Sequence, residues 1–114
     1  MRRLVFAASV LLSIVLSADT FAQTINATLG GTVSDSSGAL IPGVTITATN
    51  TATGVISSVL TNEGGAYQFA SLQSGLYKVS AELAGFQTSV YEQVNLGVSQ
   101  QIRLNFMLQV GAHA

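Results

Sequence analysis

From Gln101 to Val110 the chain reads QIRLNFMLQV. Ile102, Leu104, Phe106, Leu108 and Val110 share one parity; Gln101, Arg103, Asn105 and Gln109 take the other, with Met107 the one apolar exception. Side chains of a strand alternate between its two faces, so a period of two describes a strand with one face in a core and one in water. Phe106 is therefore expected inside and Asn105 outside.

The same period recurs upstream. Val44, Ile46 and Ala48 alternate with Thr45, Thr47 and Thr49. Leu29, Gly31 and Val33 form an early series, Tyr67 and Phe69 a short pair, and Tyr77, Val79, Ala81 and Leu83 a longer run. Val94, Leu96 and Val98 form a late series, whereas Val55 to Thr61 carries apolar residues on both parities and is ambiguous. Turn signals separate the runs: Asp35-Ser-Ser-Gly38, Pro42-Gly43, Thr53-Gly54, Asn62-Glu-Gly-Gly65, Ser74-Gly75 and Ala84-Gly85. Asp and Asn accept hydrogen bonds from the backbone two residues on, and Gly takes positive φ without a steric penalty. Pro42-Gly43 suits the centre of a type II turn. Crowded Thr and Val and recurrent Gly argue against helix. About seven short strands with a turn every 8–12 residues predict an all-β sandwich.

Composition narrows the function classes. The chain has 114 residues, 48% hydrophobic and 8% charged, with a net charge of −1, one proline and no cysteine. That length allows one domain. So few Lys and Arg cannot neutralise a run of phosphates, which excludes a nucleic-acid binder. High apolar content argues against disorder. Without cysteine there is neither a disulfide framework nor a thiolate metal site. Outward positions carry mainly Thr, Ser, Gln and Asn, which leave edge strands weakly guarded against pairing with another chain and point to a protein neighbour.

The first residues read as an export signal. Arg2 and Arg3 precede a thirteen-residue apolar stretch, Leu4 to Leu16, and small residues lead to Thr20-Phe21-Ala22 and Gln23. A basic start, an apolar middle of about 7–15 residues and a small-residue exit describe a secretory signal peptide. The run is shorter than the ~20 residues of a membrane-spanning helix. Cleavage is expected between Ala22 and Gln23, giving a signal over 1–22 and a domain over 23–114, with no membrane span in the mature part. An uncleaved anchor is the alternative.

The assembled motifs resemble a known family. Gly31-x-Val33-x-Asp35-x-x-Gly38-x-x-Ile41-Pro42-Gly43-Val44-x-Ile46 is similar to the opening of carboxypeptidase regulatory-like domains. Asn62-x-x-Gly65-x-Tyr67-x-Phe69-x-x-Leu72-x-x-Gly75-x-Tyr77-x-Val79, then Gly85-Phe86, resembles their second half. The resemblance covers roughly Thr28 to Val110. It implies a seven-stranded Greek-key sandwich of the transthyretin-like (prealbumin-like) type, grouped with carbohydrate-binding-like folds and without catalytic residues. The variant most similar to this sequence follows a signal peptide in bacterial TonB-dependent outer-membrane receptors, ahead of the plug and barrel. A barrel would need several hundred further residues. The chain is thus expected to be a fragment, a truncated relative or a stand-alone copy, exported to the periplasm, the outer membrane or beyond.

Candidate site residues are few. His113 lies next to the end, where a general base cannot be held in place. Without a second histidine neither a Ser-His-Asp arrangement nor a zinc site can be built. Asp35, Glu63, Glu82 and Glu92 read as turn formers or solvated charges rather than a glycosidase pair. Asp35 and Asn62 do not cluster as calcium requires, and the Gly30-Gly31 and Gly64-Gly65 pairs precede no helix that could receive a phosphate. Asn26-Ala27-Thr28 matches the glycosylation pattern, read here as silent. Tyr67, Phe69 and Tyr77 have core parity. Tyr91 opposes Phe86 and Val90 in parity and is expected to face outward, which makes it the one candidate platform for a sugar. No catalytic residue, metal or cofactor is expected. The leading expectation is a structural or interaction module, and the rival is carbohydrate binding.

Overall fold

The computed structural model describes residues 26–111. Within them run β1 (Ala27–Asp35), β2 (Thr45–Asn50), β3 (Ile56–Leu60), β4 (Ala66–Leu72), β5 (Gly75–Glu82), β6 (Ser89–Leu96), β7 (Gln101–Arg103) and β8 (Phe106–Leu108). One sheet has the order β4-β1-β7, with β8 also on β1, and the other the order β3-β2-β5-β6. The two stack as a prealbumin-like sandwich. The ambiguous stretch before Thr61 is an edge strand that, among the described residues, pairs with β2 alone.

The core comes from the alternation. Leu29 and Val33 of β1, Tyr67, Phe69 and Leu72 of β4, and Phe106 and Leu108 of β8 meet Ile46, Ala48, Tyr77, Val79, Ala81 and Leu96 of the second sheet. Ile102, Leu104, Phe86 and Leu83 pack on its margin. Two expected core positions lie outside it. Val98 follows the end of β6 and is exposed. Val110 lies past β8, bridges only to Phe86 and is 71% exposed.

The turns use one device three times. Asp35 Oδ1 accepts from the Ser37 and Ala39 N–H groups at 2.9 and 3.1 Å. Asn50 Oδ1 accepts from Ala52 and Thr53 at 3.0 and 3.1 Å, and Asn62 Oδ1 from Gly64 and Ala66 at 2.9 and 3.0 Å. Each side chain replaces a backbone acceptor and fixes the reversal. Gly43 has φ of +74°, as a type II turn after Pro42 requires.

Among the described residues there are eight strands instead of seven because the final run breaks at Leu104-Asn105. Its parallel register on β1 is the same on both sides of the break, Leu29 facing Ile102 and Val33 facing Phe106. Between them the backbone presses onto Gly31, where an added Cβ would stand 1.9 Å from the Leu104 carbonyl oxygen. The Asn105 side chain then takes the place of a ladder carbonyl, its Oδ1 accepting from the Thr32 N–H at 3.0 Å. The Tyr67 hydroxyl donates to the Leu104 carbonyl at 2.6 Å, and the Tyr91 hydroxyl donates to the Asn105 carbonyl at 2.7 Å. Asn105 is thus exposed, as its parity predicts, yet it joins two strands. Burial pushes the Tyr67 hydroxyl well above its ordinary pKa, so it remains a donor.

Candidate interaction site

Tyr91 is exposed, as parity expects, but its ring leans over the rim on the side of the core rather than standing free in solvent. It pairs with Val79, a fully buried residue, and residues opposite one another in an antiparallel pair share a face. The reason is a bulge: Glu92 and Gln93 both stand against Lys78, with Gln93 at φ of +56°. Past it Val94 faces Tyr77, so the parity of β6 inverts. Tyr91 sits at the rim, 40% exposed, with its ring centroid 5.0 Å from that of Phe106 in an edge-to-face contact. With its hydroxyl also committed to Asn105, Tyr91 braces β6 to β8 across one flank of the sandwich.

The carboxylates do not converge. Asp35 is held in its own turn, where hydrogen bonding led by the Ser37 hydroxyl lowers its pKa. Glu63 lies in the β3–β4 turn, Glu82 ends β5, and Glu92 lies in the β6 bulge. Among the described residues no three His, Cys, Asp or Glu side chains gather as a metal site would need. The Asn26 amide donates to Ser71 Oγ at 2.6 Å. His113 and the Ala22/Gln23 junction lie outside the described residues.

Two surface features bear on binding. The first is an open hollow of about 340 Å³ on the outer face of β4-β1-β7. Gly30 forms its floor, with Gln68 and Arg103 as its cross-strand neighbours and Thr28 and Gln101 one row away. Amides, a hydroxyl and a guanidinium around a missing side chain are groups that can hydrogen-bond a polyol or a carboxylate. Parity marks these residues only as outward; their convergence exists only once β4 and β7 flank β1. The lone sequence signal was Gly30 itself.

The second feature is the free edge of β3. Asn50 N–H donates to the Val55 carbonyl and Thr61 N–H to the Val44 carbonyl, both at 2.9 Å. Hydrogen-bonded pairs alternate in an antiparallel ladder. Ser57 and Val59 therefore bond to β2, and the backbone groups of Ile56, Ser58 and Leu60 point away from the sheet. Ile56 and Leu60 are each 64% exposed.

Among solved structures, 52 chains are similar. A putative carbohydrate binding protein from Bacteroides uniformis has a TM-score of 0.59 at 17% identity, covering 72% of this chain and 40% of its own. A type II cohesin-X-dockerin complex from Acetivibrio cellulolyticus contributes a chain with TM-score 0.61 at 18% identity, covering 77% and 60%. Catechol 1,2-dioxygenase from Pseudomonas arvilla has TM-score 0.59 at 10% identity, covering 83% and 55%. At such identities the likeness concerns the fold, which these proteins put to unrelated uses. The chain spans at most 60% of these three. No curated protein matches it. Residues 28–109 match the carboxypeptidase regulatory-like domain, and with the sandwich and its turns in place the chain belongs to that family.

Proposed function

We propose that this chain is a non-catalytic, exported β-sandwich module with a structural or docking role, comparable to the extension ahead of the plug and barrel in a TonB-dependent outer-membrane receptor. The observation that carries it is how the polar groups are used. Asp35, Asn50, Asn62, Asn105, Tyr67 and Tyr91 all bond their own backbone, while among the described residues the edge of β3 stays open. Such an edge offers main-chain hydrogen bonds to a partner. Export rests on the N-terminal pattern of Arg2-Arg3, Leu4–Leu16 and Ala22. Expression of the full chain in a Gram-negative host, with fractionation and mass measurement, is expected to yield a periplasmic product beginning at Gln23. A cytoplasmic product retaining Met1 would overturn export.

Carbohydrate binding is the second reading, favoured by the hollow over Gly30 rather than by Tyr91. Titration against a glycan panel separates the two. The docking reading expects no saturation; saturable binding that disappears in Arg103→Ala would establish the second.

A further inference from the structure

Among the described residues, each free edge but one carries a guard against pairing. β6 has its bulge and Glu92, β4 has a register shift opposite Ala27–Leu29, and β7 and β8 are short and interrupted, with Arg103 on β7. β3, reading Ile-Ser-Ser-Val-Leu, has no charge, proline or bulge, and its pairing with β2 is unbroken over five residues. Lys, Pro, bulges and interruptions are the usual means of keeping an edge from a neighbour.

We propose that β3 is a self-docking edge, on which a second copy of this chain pairs antiparallel through Ile56–Leu60 about a two-fold axis at Ser58. The register selects the occupant. Rotation about Ser58 sets Ile56 of one copy against Leu60 of the other and Ser58 against Ser58. Those three residues carry both the outward backbone groups and the exposed side chains, so about six main-chain hydrogen bonds form together with apolar-to-apolar and hydroxyl-to-hydroxyl contacts. The neighbouring rows agree. Thr47 Oγ1 lies 3.3 Å from Ser58 Oγ, so the central row becomes a hydroxyl ladder, Thr47–Ser58–Ser58–Thr47. The flanking rows run Lys78–Thr49–Ile56 in one copy and Leu60–Thr45–Glu82 in the other, so neither β3 nor β2 brings a charge near the axis. Such self-complementarity is what a two-fold interface demands. The two four-stranded sheets would merge into one of eight strands.

This deepens the docking reading by naming an occupant, and it depends on export not at all, so either can fail without the other. Five paired residues bury little surface, which places the dimer among transient associations. Sedimentation velocity of the full chain over a wide concentration range is expected to show reversible monomer–dimer exchange. Ser58→Lys places two ammonium groups on the axis and should weaken association about tenfold or more, with an unchanged melting temperature. Ser58→Glu should do the same alone, and an equimolar mixture of the two variants should dimerise again. A wild-type chain that stays monomeric, or a Ser58→Lys variant that dimerises as the wild type does, would overturn the proposal. So would a dimer that neither charge variant weakens and a foreign strand peptide disperses.

Discussion

At Gly31 one methyl group is the difference between a closed and a forced sandwich. A Cβ there would overlap the Leu104 carbonyl, which is backbone and cannot swing away. Gly31→Ala should therefore cost about 3 kcal/mol or more in urea unfolding, the upper range for overpacking. Gly38→Ala, at φ of +89° with open space around it, should cost only about 1 kcal/mol, the penalty of the left-handed backbone alone. Asn105 shows how exposure can mislead. Parity puts it in water and so predicts a change within about 0.5 kcal/mol on substitution by alanine. Its Oδ1 accepts from the Thr32 N–H, so Asn105→Ala should cost about 1–2 kcal/mol, less than the ~3–5 kcal/mol expected of Phe106→Ala. Tyr91→Phe should cost about 1 kcal/mol by leaving the Asn105 carbonyl without its donor. Ranking these melts would test the strut role of residues whose parity names only a face.

At the scale of elements, turns and strands differ in how far they can be read. The Asp35 and Asn62 turns are legible because acceptor and donors lie within four residues, whereas the turn after β2 was marked only by Thr53-Gly54 and not by its acceptor Asn50. The bulge in β6 is not: nothing between Val90 and Val94 marks the extra residue, and it exists because Tyr91 and Val94 both meet core partners on β5. A turn-held carboxylate also carries a pH signature. Hydrogen bonds to the ionised form lower the pKa of Asp35 in the folded state. Its contribution is thus present above the ordinary carboxylate range and lost as pH falls through that range to the lower folded value. Denaturation midpoints of wild type and Asp35→Asn should differ at neutral pH and converge in acid. A gap that widened in acid would reverse the sign of this linkage.

The whole molecule is closed by its last strand. β8 brings Phe106 and Leu108 to the side of β1, parallel to it, from the opposite end of the chain. Truncation after Asn105 would strip both side chains from the core and leave Val33 to Asp35 without a partner on that side. The truncated chain is expected to lose its cooperative urea transition, followed by tyrosine fluorescence, whereas removal of residues 112–114 should leave the transition in place. Because so many contacts join distant segments, folding should be slow, on the order of milliseconds to seconds.

Short-range chemistry determined the strands, the turns and most of the core, since alternation and Asx–Gly pairs act over a few residues and the resulting faces are forced by water. The contact of Tyr91 with Phe106, the break at Leu104-Asn105, the hollow over Gly30 and the open edge of β3 were decided only in the tertiary structure. Each depends on a clash, a carbonyl or a neighbouring strand that has no energetic consequence until segments far apart in the chain meet, as Thr32 meets Asn105 and Val79 meets Tyr91.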